Sequence, residues 1–212
     1  MKKIIVLIAL AVTGLTFNAT AQDGSSGDDK VRFGLKAGFN LSNVYDQEGN
    51  DNNTDVKLGF AGGAFLHVPF GSALGFQPEM LISQKGFRGT GQVAGVNYEF
   101  SRTTNYLEFP LLLAFKPNAN VALLAGPHVS YLISQRDAVK SGDYSAVHDQ
   151  NFNNDNPRRN TVGLTAGADF YLRPVILAAR LGWDFTDNNG DGTSTSPAYK
   201  NAFLQLGIGF NL

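Results

Sequence analysis

Val31, Phe33, Leu35, Ala37, Phe39 and Leu41 alternate with Arg32, Gly34, Lys36, Gly38, Asn40 and Ser42. Period-two alternation of this kind predicts a β-strand with one apolar and one polar face. The pattern recurs near 31–44, 56–69, 74–87, 98–116, 120–136, 160–173, 174–186 and 199–212. Short connections at 70–73, 116–120 and 173–174 alternate with long polar ones at 45–55, 88–97, 137–159 and 187–198. Short turns at one end and long loops at the other predict an all-β fold. Specifically, they predict an eight-stranded antiparallel up-and-down transmembrane β-barrel with short periplasmic turns and longer extracellular loops.

Charge parity sharpens the expectation. The apolar register is odd in 31–41, even in 56–68 and 74–82, and odd in 107–115 and 121–133. It is then even in 162–172, odd in 175–185 and even in 202–212. No Asp, Glu, Lys or Arg falls on it. The opposite register carries Arg32, Lys36, Lys57 and Arg180 against Glu79, Glu108, Asp169 and Asp184. A soluble sandwich would wet its polar face and need no such balance. Equal opposite charges suit a narrow interior where every ion needs a partner, and an eight-stranded barrel is just wide enough for its side chains to fill. A mid-height salt-bridge network of Lys36, Glu79, Glu108 and Arg180 is expected, with Lys57 and Asp184 nearer the exterior. Pro78, Pro110 and Pro127 interrupt strands, so bulges and a slip of parity are expected there.

Lys2 and Lys3, the apolar stretch Ile4 to Phe17 and the small residues Ala19-Thr20-Ala21 form a secretory leader over 1–21. Residues 22–30 read as a flexible periplasmic lead-in, and 31–212 as the barrel domain. Without Lys2 and Lys3 the chain holds 15 basic and 18 acidic residues, a balance that suggests no nucleic-acid partner. The absence of cysteine rules out a lipoprotein anchor and disulfides. The expected partners are outer-membrane lipid, the barrel-insertion machinery and an envelope protein, with a monomeric chain and no cofactor.

Five stretches resemble the PorT-like outer-membrane β-barrel family of the Bacteroidetes. They are "GFNLS" (38–42), "GFQPEMLISQKG" (75–86), "YLEFPLLLAFKP" (106–117), "AGPHVSYLIS" (125–134) and "LGIGFNL" (206–212). The resemblance implies an eight-stranded outer-membrane barrel. The family's name comes from a member needed for protein secretion, but the matching residues are strand residues and carry over the fold. Glu79 and Glu108 sit in them, and their implied role is structural.

His128 and Ser130 are spaced as the His-x-Ser pair of an outer-membrane lipid deacylase, where His activates Ser for attack on an ester. Both lie on the inward register at mid-depth, out of reach of lipid, so no enzyme is expected. His67 is also inward, and His148 lies in a long loop. The 45–55 loop carries four acids and no base, and Arg158 and Arg159 close the 137–159 loop. Loop arginines of this kind are candidates for lipopolysaccharide phosphates. Asp187, Asn189 and Asp191, followed by Gly192, match the first half of a calcium loop. The twelfth position is Ala198 where a bidentate Glu belongs, and Asn, Asp and Gly are also what a solvated turn uses. Titration of calcium into the folded protein is expected to release no heat at millimolar calcium; a saturable heat would establish the site.

Overall fold

The computed structural model describes residues 30–45, 54–93, 95–142, 144–149, 158–188 and 198–212. Nine strands follow one another: β1 (Arg32–Tyr45), β2 (Thr54–Pro69), β3 (Leu74–Val93), β4 (Val96–Asn118), β5 (Val121–Ser141), β6 (Tyr144–Asp149), β7 (Asn160–Leu172), β8 (Val175–Asp184) and β9 (Lys200–Asn211). All pair antiparallel, in the order β4-β3-β2-β1-β9-β8-β7-β5-β6. β4 also pairs with β5, from Glu99↔Lys140 to Asn118↔Val121, which rolls the sheet into a near-barrel.

Among the described residues the strand count is nine where eight were expected. The additional strand is β6, formed inside the 137–159 connection and paired, among the described residues, with the far end of β5. The 88–97 connection is likewise not a loop: β3 and β4 continue pairing to Val93↔Val96 and turn at Gly95, whose φ of 80° favours glycine. Alternation fades in these stretches because they extend past the apolar belt, where neither face must be greasy, while the backbone ladder persists. β3, β4, β5 and β6 therefore form a four-stranded sheet projecting beyond the rim.

The prolines shift no register. Pro78↔Leu111, Pro110↔His128 and Pro127↔Leu164 all lie in ladders whose offset is unchanged on either side. Each removes one donor locally, and pairing lapses for two residues beside Pro78 and Pro110, but the runs on either side keep the same offset. The irregularities fall elsewhere, between Val56 and Ala61 on β2, between Asn105 and Tyr106 on β4, and between Phe115 and Asn118 near the end of β4. Opposite the second, the inward parity of β5 changes from even at Leu132 to odd at Gln135.

The apolar register is the exposed one throughout. Phe39 is 62 % exposed beside Asn40 at 0 %, and Leu113 is 65 % exposed beside Leu112 at 0 %. Leader 1–21, lead-in residues 22–29 and loop residues 46–53 lie outside the described residues.

Candidate functional site: the filled lumen

The interior is stacked in layers. Near the short turns, Leu112, Ala114, Ala122 and Leu124 from β4 and β5 form an apolar plug, with Tyr171 packed against it. At the loop end, Val44, Phe87 and Tyr199 form a second apolar layer with Phe100. The Phe87 ring meets Phe100 and Tyr199 edge-on at centroid distances of 6.0 and 5.1 Å. Arg102 stands over Tyr199 and donates to both carboxylate oxygens of Asp137 at 2.7 and 2.8 Å. Such bidentate pairing fixes the guanidinium plane as well as its charge.

Two ion clusters fill the space between. In the first, Glu79 accepts from Lys36, from Arg180 at 3.3 Å and from the Gln77 amide at 3.0 Å. Arg180 also pairs with Asp169 at 2.8 Å and donates to the Ala168 and Ala179 carbonyls. The second centres on Lys85, whose Nζ lies 3.3 Å from Glu108, 3.5 Å from Asp184 and 4.0 Å from the Phe203 ring centroid. Those spacings exceed the ~2.7–2.9 Å of a charge-assisted hydrogen bond. Coulomb attraction from two carboxylates and the ring face hold this ammonium. Asp184 also receives the Asn201 amide at 2.8 Å and touches His128 Nε2 at 2.8 Å. Gly182 makes room for Phe203: a Cβ there would stand 2.1 Å from the ring.

Of the residues expected to form one network, Lys36, Glu79 and Arg180 come together. Glu108 does not join them; Lys85 draws it into the second cluster together with Asp184. Lys57 stands apart from both, bonding Thr103 and, at 3.1 Å, the Arg102 carbonyl. Lys85 escaped the sequence reading because the parity count on β3 stopped at Ile82, although its odd number places it on the inward register. Asp169 was on that register but not assigned a partner.

His128 lies 2.9 Å from Thr165 through Nδ1, so both ring nitrogens are engaged and neither reaches Ser130. His67 is buried opposite Arg32, and His148 falls in β6. Arg158 and Arg159 are tied down by main-chain bonds to Asn188 and Leu132, and the Arg159 side chain reaches the Tyr131 hydroxyl at 3.4 Å. Of the calcium-loop candidates, Asp187 lies 3.8 Å from Lys200, while Asn189 and Asp191 lie outside the described residues. Among the described residues no group of three or more His, Cys, Asp or Glu is placed to hold a metal.

An outward apolar belt around an ion-paired interior defines an outer-membrane barrel class of protein. The sequence matches the family model described as "Outer membrane protein beta-barrel domain" over residues 20–190. The chain belongs to that family, and its place is the outer membrane. Among solved structures it is similar to Ail, the attachment invasion locus protein of Yersinia pestis, at 15 % identity and a TM-score of 0.46, covering 86 % of this chain and 99 % of that one. It is also similar to Neisserial surface protein A at 12 % identity and a TM-score of 0.45, covering 84 % and 96 %. OprG from Pseudomonas aeruginosa aligns at 15 % identity and a TM-score of 0.40, covering 88 % and 98 %. No curated protein matches.

Removing one member of the Lys85 cluster strands buried charge. Lys85→Met is expected to cost about 3–5 kcal/mol of stability, read by urea unfolding in lipid vesicles. Adding Glu108→Leu should recover part of that loss; strict additivity of the two losses would show that they do not interact.

Proposed function

We propose that this protein is a non-enzymatic, side-chain-filled barrel of the outer membrane. In this reading eight strands, all but β6, close the transmembrane ring, and the projecting sheet of β3 to β6 presents the surface for specific contacts outside the cell. The observation that carries it is the strict partition of side chains: apolar residues exposed on every strand of the ring, ion pairs and apolar plugs within. Such a partition suits lipid outside and no open channel inside. A conducting porin is disfavoured, because eight strands leave an interior that side chains fill. An esterase is disfavoured because His128 and Ser130 are both fully buried and the ring is already committed to Asp184 and Thr165.

The leader is cleaved after Ala21 in this reading, and the mature chain is inserted as a monomer with 22–30 in the periplasm. The finer resemblance, to the PorT-like barrels, rests on strand residues, Glu79 and Glu108 among them. It therefore supports the architecture more than a part in secretion, and an accessory role in a secretion or envelope-assembly complex stays second to a stand-alone interaction barrel.

Leu206 tests the membrane reading. It lies midway along β9, on the outward face, and is 48 % exposed. Leu206→Arg should cost about 2–4 kcal/mol when the protein folds into lipid vesicles, as a cation at the bilayer midplane does. An unchanged stability would place that face in water. Planar-bilayer recordings of the wild type should show no steady conductance, and a stable open level would overturn the filled-lumen reading.

A further inference from the structure

The outward face of the barrel wall does not end with the apolar belt. β3 and β4 keep one offset from Leu81↔Glu108 to Val93↔Val96, so the face that carries Met80 and Ile82 continues without a change of side into the projecting sheet. Its chemistry changes along the way. Just above the belt the polar groups satisfy one another: Gln84 donates to Asn105 at 3.0 Å, Asn105 to Ser134 at 2.8 Å, and Lys57 to Thr103. Farther out the charged groups are left unspent. Thr90, Glu99 and Lys140 stand in one row across β3, β4 and β5, with Arg88 in the row below and Gln92↔Asn97 in the row above. Glu99 and Lys140 are direct cross-strand neighbours of opposite charge, an arrangement that ordinarily pairs. Among the described residues neither enters an ion pair, and nor does Arg88.

These side chains line two adjoining clefts instead of closing on each other. One of about 800 Å³ is lined by Thr90, Gln92, Asn97, Glu99 and Lys140; one of about 440 Å³ shares Thr90, Glu99 and Lys140 and adds Arg88 and Asp55. The lining mixes cationic donors, carboxylate acceptors, and hydroxyl and amide groups that do both. A ligand of a single charge sign meets repulsion somewhere on it. A polyhydroxyl ligand, whose every hydroxyl donates and accepts, does not. Height and neighbours narrow the source. Thr90 lies six residues beyond Gln84, about 20 Å along the strand and, at a tilt of about 40°, about 15 Å above the belt's edge. A phospholipid headgroup layer adds only about 5–7 Å to the hydrocarbon on each side. Lower on the same wall, an apolar groove of about 620 Å³ runs beside Met80 and Ile82 over Gly62 and Ala64. We propose that this face binds a glycolipid of the outer leaflet, with its oligosaccharide in the two clefts and an acyl chain in the groove below. The inference rests on the reading of the projecting sheet as a contact surface outside the cell and gives that surface a ligand class.

The chain has no cysteine, so Val96→Cys, at the exposed tip of β4 and outside both clefts, reports on the sheet alone. On intact cells it is expected to react with a membrane-impermeant maleimide. A copy in the outer membrane that stays unlabelled overturns the outside-surface reading and this inference together. The binding test is native mass spectrometry of the mature protein released from detergent with equimolar lipid A and lipopolysaccharide, the second carrying a core oligosaccharide on the same lipid A. Selective retention of the core-bearing lipid is expected; equal retention of the two, in a chain that labels on cells, overturns this inference alone. Lys140→Ala and Glu99→Ala, both at exposed positions, should each weaken that retention about fivefold. Retention unchanged in both variants would overturn the proposal. Tighter retention on Glu99→Ala would assign the clefts to the lipid's phosphates and overturn the sugar reading. Displacement by an equimolar amount of the free core oligosaccharide would assign them to a soluble glycan and overturn the glycolipid source.

Discussion

The backbone ladder is the constraint on which everything else depends. Hydrocarbon offers no partner to a peptide N–H or C=O, so a sheet can cross a membrane only if it has no open edge there. Here β1 is paired on both sides, with β2 from Arg32↔His67 and with β9 from Gly34↔Asn211 to Tyr45↔Lys200. β4, at one end of the strand order, also pairs with β5, the strand next to the other end. In the barrel reading proposed above, the number of strands sets the width of the lumen, and at eight strands that width suits an interior filled by side chains. Register follows from the same pairing. Long ladders explain why three prolines each remove a donor without moving a neighbour by a residue.

Filling such a lumen with charge is costly unless each ion is compensated. Lys36, Lys85 and Arg180 are nearly or fully buried, as are Glu79, Glu108, Asp169 and Asp184. The molecule answers with clusters in place of isolated pairs: Arg180 bridges Glu79 and Asp169, and Lys85 bridges Glu108 and Asp184. Replacing such clusters by well-packed apolar residues is often neutral or stabilising, so their presence is weak evidence for extra stability. Their geometric specificity is the stronger argument. Each cluster joins strands that are not neighbours in the ladder: Glu79 of β3 meets Lys36 of β1 and Arg180 of β8. A register slip in any of these strands would turn a charged side chain towards lipid.

The membrane-facing half of this arrangement was legible in the sequence because lipid imposes a binary rule on every second residue. Eight segments, their parities and the short turns could be read from that rule alone. The interior obeys no comparable rule. Leu112 and Leu124 share the inward register with Glu108 and His128, and nothing local distinguishes a plug residue from an ion-pair residue. Pairings such as Lys85 with Asp184 depend on the tilt and stagger of strands far apart in sequence. β6 was missed for a different reason: beyond the bilayer both faces of a hairpin tolerate polar residues, so period-two contrast disappears while the hydrogen bonds remain.

The two ends of the barrel face different demands, and the chain builds them differently. At the loop end, Phe87, Phe100 and Tyr199 seal the lumen under Arg102, and the ladder carries on upward into the projecting sheet. Strand continues there past the apolar belt, carried by the backbone ladder. At the other end, the turns Phe70–Ala73 and Arg173–Pro174 are short, and the layer of Leu112, Ala114, Ala122 and Leu124 sits just inside. These two apolar layers bracket the ion clusters between them. Beyond those layers, the sheet of β3 to β6 is where the molecule departs from a plain barrel.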